Sequence, residues 1–269
     1  MKIRLAFFLL FYALILEGQE PFLQQTGNYI TFGIGFPINT VRDKAHSPLA
    51  YRGLGVRLFA AYEVVKPKRI SRLALSVDGV SLKAYVKPRQ DVRRETSLTD
   101  VQLSMGYYRR LGDDDTNADQ QQYLGASYEF QLNAREYPLP ANNINGFILQ
   151  TSLGIGILDR RSLDNEDWVL NSSARLPLIS AIYRPTFIGL PDVLHKQKPG
   201  TKEIIKGFKF VTVDKFFKLS VNLDLDHLRR PWRSNRYTYN WSVLATPLPA
   251  TKSLISTTGA LQVGYRSKL

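Results

Sequence analysis

Apolar and polar residues alternate along most of this 269-residue chain. In the stretch NYITFGIGF (Asn28–Phe36) every second residue is large and apolar: Ile30, Phe32, Ile34 and Phe36. The residues between them are Thr31, Gly33 and Gly35. Successive side chains of a β-strand point to opposite faces, so this stretch predicts a strand with one apolar face and one small or polar face.

The same alternation recurs along the chain and predicts about ten strands, with eight or twelve as alternatives. The predicted strands lie near 28–38, 53–65, 70–87, 97–110, 121–133, 145–158, 168–183, 205–226, 236–246 and 255–268.

The third and the eighth of these segments are uncertain, and the seventh is broken by prolines. The third changes phase at Asp78–Gly79, which indicates either a hairpin turn or one long strand with a bulge at Gly79. The seventh and its continuation contain Pro177, Pro185 and Pro191. Because proline interrupts strand pairing, part of this segment is expected either to fold into a barrel lumen or to cap it.

The apolar face is expected to contact lipid rather than a protein core. The segments are near ten residues long, the length that a tilted strand needs to cross a bilayer. Glycines and charged residues share the second face, which suits a barrel interior. Tyr62, Tyr107, Tyr237 and Tyr265 lie at segment ends, where aromatic girdles form. We therefore expect an all-β, transmembrane, antiparallel up-and-down barrel; the alternative is a secreted β-sandwich.

The N-terminal segment has the features of a secretory signal. Lys2 and Arg4 precede the apolar run Leu5–Leu16, which is short for a spanning helix. We expect a cleaved signal peptide at 1–19 and a single barrel domain at 20–269. The chain has no cysteine, which excludes both a lipid-modified cysteine and a disulfide framework.

The lengths of the connections predict an orientation. An even number of strands puts both termini on the periplasmic side, where connections are short. Lys66–Arg69, Gly112–Asp119 and Asp159–Asp167 are then periplasmic. The segments 39–52, 88–96, 134–144 and 184–204 are then external.

The C-terminal segment LQVGYRSKL places Leu261, Val263 and Tyr265 on one face. With the signal segment and the alternating strands, it resembles the small, porin-like outer-membrane β-barrel proteins of Gram-negative bacteria. The resemblance implies export to the outer membrane and recognition of the last strand by the barrel-assembly machinery. Members of that family usually end on the aromatic residue, whereas this chain continues for four residues after Tyr265.

Charged residues on the predicted inner face are mixed in sign. They are Arg57, Glu63, Asp100, Glu129, Lys218, Asp224, Asp226 and Arg266. Opposite charges in a narrow lumen are expected to pair and fill it, because an unpaired buried charge is costly. This favours a structural barrel, or one that binds a ligand or partner, with a largely plugged lumen. The alternative is a narrow or gated channel.

The surplus positive charge, formally +13 for the whole chain, is concentrated in connections. Lys87, Arg89, Arg93 and Arg94 lie in one that is predicted to be external, where they are candidate contacts for lipopolysaccharide phosphates. The basic stretches His195–Lys202 and Arg229–Arg236 offer similar contacts to anionic lipid or a periplasmic partner. Solvated loops without a ligand are the alternative, and nucleic acid is a poor candidate partner for an exported barrel.

The sequence gives little indication of catalysis. Barrel hydrolases typically use a histidine to activate a serine or a water. Of the three histidines, His46 and His195 fall in connections, and His227 follows Asp226 directly, so the two must face opposite sides of a strand. Asp224 and Asp226 share a face but form a weak metal signal. We expect no enzyme, no cofactor and no metal site.

Overall fold

The computed structural model describes residues 26–44, 49–84, 95–112, 120–136, 145–163, 168–184, 207–230, 233–247 and 253–269. The strands are β1 (Gly27–Asp43), β2 (Ala50–Lys66), β3 (Arg69–Ala84), β4 (Glu95–Arg110), β5 (Gln120–Glu136), β6 (Asn145–Ser162), β7 (Trp168–Tyr183), β8 (Lys209–Thr212), β9 (Phe217–Arg230), β10 (Arg233–Thr246) and β11 (Leu254–Lys268). Within these residues, no helix is both long and apolar enough to cross a membrane. The predicted signal peptide lies outside the described residues.

The strands form one closed antiparallel barrel. Each strand pairs with its neighbour in sequence, and β1 closes the ring against β11. β7 pairs with β9 along one part of its length and with β8 along the other. β8 and β9 therefore occupy the same position in the ring, and the eleven strands make a barrel with ten strand positions. The prediction of an all-β up-and-down barrel of about ten strands is confirmed, and the β-sandwich alternative is wrong.

Both ends of the barrel chain lie at the same end of the cylinder, because Tyr29 near the start of β1 pairs with Lys268 at the end of β11. We call this the proximal end and the opposite one the distal end. The proximal connections are 67–68, 111–119, 163–167 and 231–232. The distal connections are 44–49, 85–94, 137–144, 184–208 and 247–253. The long connection 184–208 includes the two residues that directly precede β8. Several distal connections are shorter than predicted because the strands extend further.

The large apolar residues of β1 face outwards. Phe32 and Phe36 have more than half of their surface exposed, whereas Thr31, which precedes Phe32 and points to the other face, is fully buried. The other strands repeat the arrangement with exposed leucines, isoleucines and valines. Such exposure would be unfavourable in water, and it is expected of a surface that contacts lipid.

β3 passes through Asp78–Gly79 as one long strand, so the hairpin prediction is wrong and the long-strand alternative is confirmed, but without the predicted bulge. Its pairing with β2 and β4 is continuous across Gly79. The hydrophobic phase changes because the environment changes along the strand. From Leu73 to Val77 the outward residues are apolar, whereas beyond Val77 the inward residues Val80 and Leu82 are apolar and buried. The sequence pattern therefore records a reversal of the apolar face.

The wall made by β7, β8 and β9 is the irregular part of the barrel. The β6–β7 register shifts at Leu153/Gly154, where β7 has one extra residue beside Pro177. Proline has no N–H to donate, and a bulge accommodates it within a sheet. Residues 168–183 are thus part of the wall and do not fold into the lumen. The predicted strand 205–226 is divided by the turn Val213–Lys215 into β8 and β9.

Candidate functional site: the barrel lumen

Every charged residue that the alternation assigned to the lumen is buried on the inner face. These are Arg57, Glu63, Asp100, Glu129, Lys218, Asp224, Asp226 and Arg266, none more than 8% exposed. The strand pleat explains the placement, because each lies an even number of residues from other inward side chains of its strand. They fall into groups at different heights of the barrel.

The largest group, which we call the proximal charge cluster, comprises Glu63, Arg72, Asp224, Asp226, Arg236 and Arg266. Arg236 is at its centre and is only 2% exposed. Its Nε donates to Asp226 Oδ1 at 2.7 Å and its Nη1 donates to Glu63 Oε1 at 2.8 Å. Arg266 Nε donates to Glu63 Oε2 at 3.2 Å. One guanidinium thus binds two carboxylates, and one carboxylate binds two guanidiniums.

One ion pair of this cluster spans the full width of the lumen. Arg72 Nη1 on β3 donates to Asp224 Oδ2 on β9 at 2.8 Å. β3 and β9 are five positions apart in the ring of ten, whichever way the positions are counted. Thr238 Oγ1 donates to the other oxygen of Asp224 at 2.7 Å, so that both oxygens of this carboxylate accept hydrogen bonds.

A second group lies further towards the distal end. Arg57 donates through Nε and Nη2 to the two oxygens of Asp78, both at 2.6 Å, which is a bidentate ion pair. Asp100 is the cross-strand partner of Asp78. It accepts hydrogen bonds from Gln131 at 2.8 Å and Asn133 at 2.9 Å instead of pairing with a cation.

Two further carboxylates form ion pairs with cations on non-adjacent strands. Lys218 Nζ on β9 lies 2.9 Å from Glu129 Oε2 on β5, and Arg175 Nη1 lies 3.4 Å from Glu129 Oε1. Nearest the distal end, Asp43 on β1 pairs with Arg135 at 2.8 Å and also with Arg184. Ion pairs therefore cross the lumen at several heights.

Sequence reasoning missed several members of these groups. Arg72 and Asp78 are on the inner face of β3, but the phase change at Asp78–Gly79 made that face ambiguous. Arg236 was assigned to the basic connection Arg229–Arg236, which is wrong, because β10 begins at Arg233. The signal was present in the sequence, since Arg236 continues the inward series of Thr238 and Asn240.

Apolar side chains form a buried cluster at each end of the charged region. The distal apolar cluster comprises Val41, Tyr51, Val80, Leu82, Leu98, Ile148, Ile182, Val211, Phe216, Leu244 and Leu254. The proximal apolar cluster comprises Tyr29, Val65, Ile70, Tyr108, Tyr123 and Leu158. Arg266 connects the charged region to the proximal cluster, since its guanidinium lies 3.7 Å from the centre of the Tyr29 ring.

A cavity of about 90 Å³ remains inside the barrel. Its lining includes Arg57, Arg72, Arg160 and Arg175, and the small residue Ala74. A polar cavity of this size holds several water molecules. Buried polar atoms such as Arg160 Nη1, which has no hydrogen-bond partner among the described residues, are natural contacts for such water.

Within the described part of the chain, no group of three or more histidine, aspartate or glutamate side chains is placed to hold a metal ion. Asp224 and Asp226 instead accept hydrogen bonds from arginines, Thr238 and Asn171. His227 lies on the outer face, where its ring stacks on Trp168 at 4.3 Å between ring centres. Asp226 and His227 therefore face opposite sides, as predicted. His46 and His195 lie outside the described residues.

Some of the predicted surface sites are among the described residues and others are not. Tyr62, Tyr107, Tyr237 and Tyr265 are exposed on the outer face, near the proximal end of their strands. The candidate lipopolysaccharide contacts Lys87, Arg89, Arg93 and Arg94, and the stretch His195–Lys202, lie outside the described residues.

No family model matches the chain, and no curated protein is similar to it in sequence. Among solved structures, the outer membrane protease OmpT from Escherichia coli is similar with a TM-score of 0.56 and 9% identity, over 90% of this chain and 97% of that one. The translocator domain of autotransporter NalP from Neisseria meningitidis follows with a TM-score of 0.44 and 12% identity, over 94% and 91%. Neisserial surface protein A gives 0.35 and 13%, over 91% and 98%. The chain thus has the fold of the small outer-membrane β-barrel proteins.

Proposed function

We propose that this chain is an integral outer-membrane barrel whose lumen is closed by its own side chains. In this proposal the barrel is a rigid anchor in the cell envelope, and its distal connections contact a ligand or partner. The observation that carries the proposal is the order of layers along the lumen: an apolar cluster, ion pairs that cross the barrel, and a second apolar cluster.

The energetics of these layers oppose a permanent pore. A conducting path past Arg72 and Asp224 would have to break an ion pair between opposite walls. Removing one partner of a buried ion pair typically costs about 3–5 kcal/mol. An ion would also have to pass Leu82 and Leu98, which are almost completely buried in the distal apolar cluster.

Conductance in planar bilayers tests the proposal. We expect purified, folded barrel to give no steady unitary current steps in wild-type form. The double variant Arg72→Ala/Asp224→Ala removes the ion pair across the lumen and keeps both apolar clusters, so it should also stay silent. A gel in which the unboiled barrel migrates differently from the boiled one verifies folding. Reproducible unitary steps from the wild type would contradict a closed lumen.

A gated channel is the second candidate, and one observation favours it. Two residues of the distal apolar cluster lie in the wall made by β7, β8 and β9. Val211 is on β8, and Phe216 follows the turn Val213–Lys215. This wall has the shortest strand and lies beside the bulge of β7. Current from a Phe216→Ala variant, with a silent wild type and a silent Leu244→Ala control, would support gating through this wall.

We also propose that Lys87, Arg89, Arg93 and Arg94 contact lipopolysaccharide phosphates from the connection between β3 and β4. Arginine binds a phosphate through two parallel hydrogen bonds, which supports this ligand class. Replacing all four by Gln should weaken binding to purified lipopolysaccharide and leave folding intact. Unchanged binding would refute the contact.

We also propose that the barrel-assembly machinery recognises β11 through Leu261, Val263 and Tyr265.

Proteolysis, the activity named for OmpT, is not part of this proposal. A barrel hydrolase needs a histidine beside a nucleophile or an activated water. His227 is on the outer face against Trp168, away from the lumen carboxylates. The fold likeness, at 9% identity, supports no residue-level comparison with that protein.

A further inference from the structure

Three cations lie side by side on the outer face at the proximal end. Lys66 ends β2, Arg69 begins β3, and Arg109 lies at the end of β4. They are direct cross-strand partners, Lys66 with Arg69 and Arg69 with Arg109. All three side chains are exposed and point away from the lumen. We call them the proximal cation row.

The distal ends of the same three strands are built differently. There the corresponding outward partners are Arg52, Lys83 and Glu95. Glu95 Oε1 lies 3.0 Å from Lys83 Nζ, so this distal row contains its own counter-charge. The proximal cation row contains none.

The like charges of the proximal cation row carry an electrostatic cost. Like charges directly opposite each other on a sheet are destabilising. In the described part of the chain, no carboxylate forms an ion pair with Lys66, Arg69 or Arg109. Nearby Lys68 and Arg110 have interactions of their own. The row therefore presents three positive charges to whatever surrounds the barrel at this height.

The position of the row relative to the aromatic residues indicates what surrounds it. Tyr107 is exposed on the same face of β4, two residues from Arg109. Two residues of a strand span about 7 Å. Tyrosines of a barrel girdle lie at the level where hydrocarbon meets headgroups. A cation about 7 Å further out is at the level of the phosphates.

We propose that the proximal cation row binds the headgroup of an anionic phospholipid. The proposal rests on the membrane location in the proposed function. Two guanidiniums and one ammonium on adjacent strands give a phosphate several charge-assisted donors, and arginine can bind it in a bidentate manner. The phosphate supplies the counter-charge that the described residues do not provide to the row. The lipid is a phospholipid of the periplasmic leaflet, since the proximal end is the end of the chain termini and the short connections.

The test compares the folded barrel in vesicles of phosphatidylcholine alone and in vesicles that also contain phosphatidylglycerol. The test variant is Lys66→Gln/Arg69→Gln/Arg109→Gln. The control variant is Arg42→Gln/Arg52→Gln/Lys83→Gln, which removes three outward cations from the distal end. Heat-modifiability gels in both vesicles establish that each protein is inserted. The measured quantity is the shift of the unfolding temperature when phosphatidylglycerol is added.

We expect phosphatidylglycerol to raise the unfolding temperature of the wild type and of the distal control. The proximal variant should lose this rise while inserting as well as the wild type. Added salt should reduce the rise, because it screens exposed charges. If the proximal variant keeps the full rise, or the distal control loses it equally, the row is not a lipid site. Failure of all three proteins to insert would instead contradict the proposed function.

Discussion

The ring of Phe59 occupies the space that a side chain at Gly264 would need. A Cβ atom on Gly264 would lie 2.8 Å from Phe59 Cζ. Phe59 is on β2 and Gly264 on β11, so the ring reaches across β1, where Gly33 lies beneath it. Phe59, a large apolar residue between the inward positions Arg57 and Ala61 of β2, is accommodated by glycines on the two next strands.

Gly264→Ala should therefore destabilise the barrel by about 1–3 kcal/mol, the usual range for an overpacked interior. The double variant Gly264→Ala/Phe59→Leu should recover part of this loss, because the smaller side chain leaves room for the new methyl group. Gly79→Ala is the control, since a Cβ there has no atom within 4 Å. Urea unfolding in detergent micelles measures the three free energies, and equal losses for Gly264→Ala and Gly79→Ala would contradict the packing argument.

Leu103→Arg should impair membrane insertion. Leu103 faces outwards between Leu75 and Phe130, its cross-strand partners. An arginine on the lipid face near the midplane costs about 2–4 kcal/mol, and near the interface only about 0–1. Thr99→Arg, on the same face of β4 but near the distal end, should thus be tolerated. Full insertion of the Leu103→Arg barrel in assembly assays would contradict the assignment of this face to lipid.

Arg57→Gln should destabilise the barrel by about 3–5 kcal/mol, because it leaves Asp78 buried without its cation. The loss is aggravated by Asp100, the cross-strand partner of Asp78. Arg57→Gln/Asp78→Asn removes both charges and should be less destabilising than Arg57→Gln alone. Chemical unfolding of the two variants provides the comparison, and a double variant that is the less stable of the two would speak against a buried pair.

Leu82→Ala should cost about 2–5 kcal/mol, the range for a cavity in a packed core, because Leu82 is fully buried in the distal apolar cluster. Leu75→Ala, on the outer face of the same strand, is the matched control and should cost less, since lipid can fill the space. Thermal unfolding in vesicles measures both. Similar losses at the two positions would indicate that the distal cluster is not a packed core.

Periodicity in the sequence was sufficient to predict the barrel and the faces of most strands. Ile30 to Phe36, for example, shows the outward series directly, because one face of each spanning strand contacts a uniform solvent of lipid. The inward positions Arg57 and Glu129 followed from the same count. The two-residue period alone is sufficient to predict that both side chains are buried.

The partners of these charges could not be predicted from the sequence. Arg72 meets Asp224 across the whole barrel, and nothing local to either residue indicates the other. The pairing depends on the strand number and on the stagger of each strand relative to the next. Asp78–Gly79 was misjudged for a related reason, since a local pattern cannot distinguish a turn from a change in the surroundings of a continuous strand.

The reversal of the apolar face along the strands has a consequence for the membrane that the barrel fits. On β1 the outward apolar series runs from Ile30 to Ile38, after which Thr40 and Arg42 are outward. That interval measures about 26 Å along the strand, or about 20 Å across a bilayer for a strand tilted by roughly 40°. An apolar band of about 25 Å is usual for such barrels. The apolar interval of β1 is thus somewhat shorter than that band, and lipids with shorter acyl chains should reduce the hydrophobic mismatch at this strand.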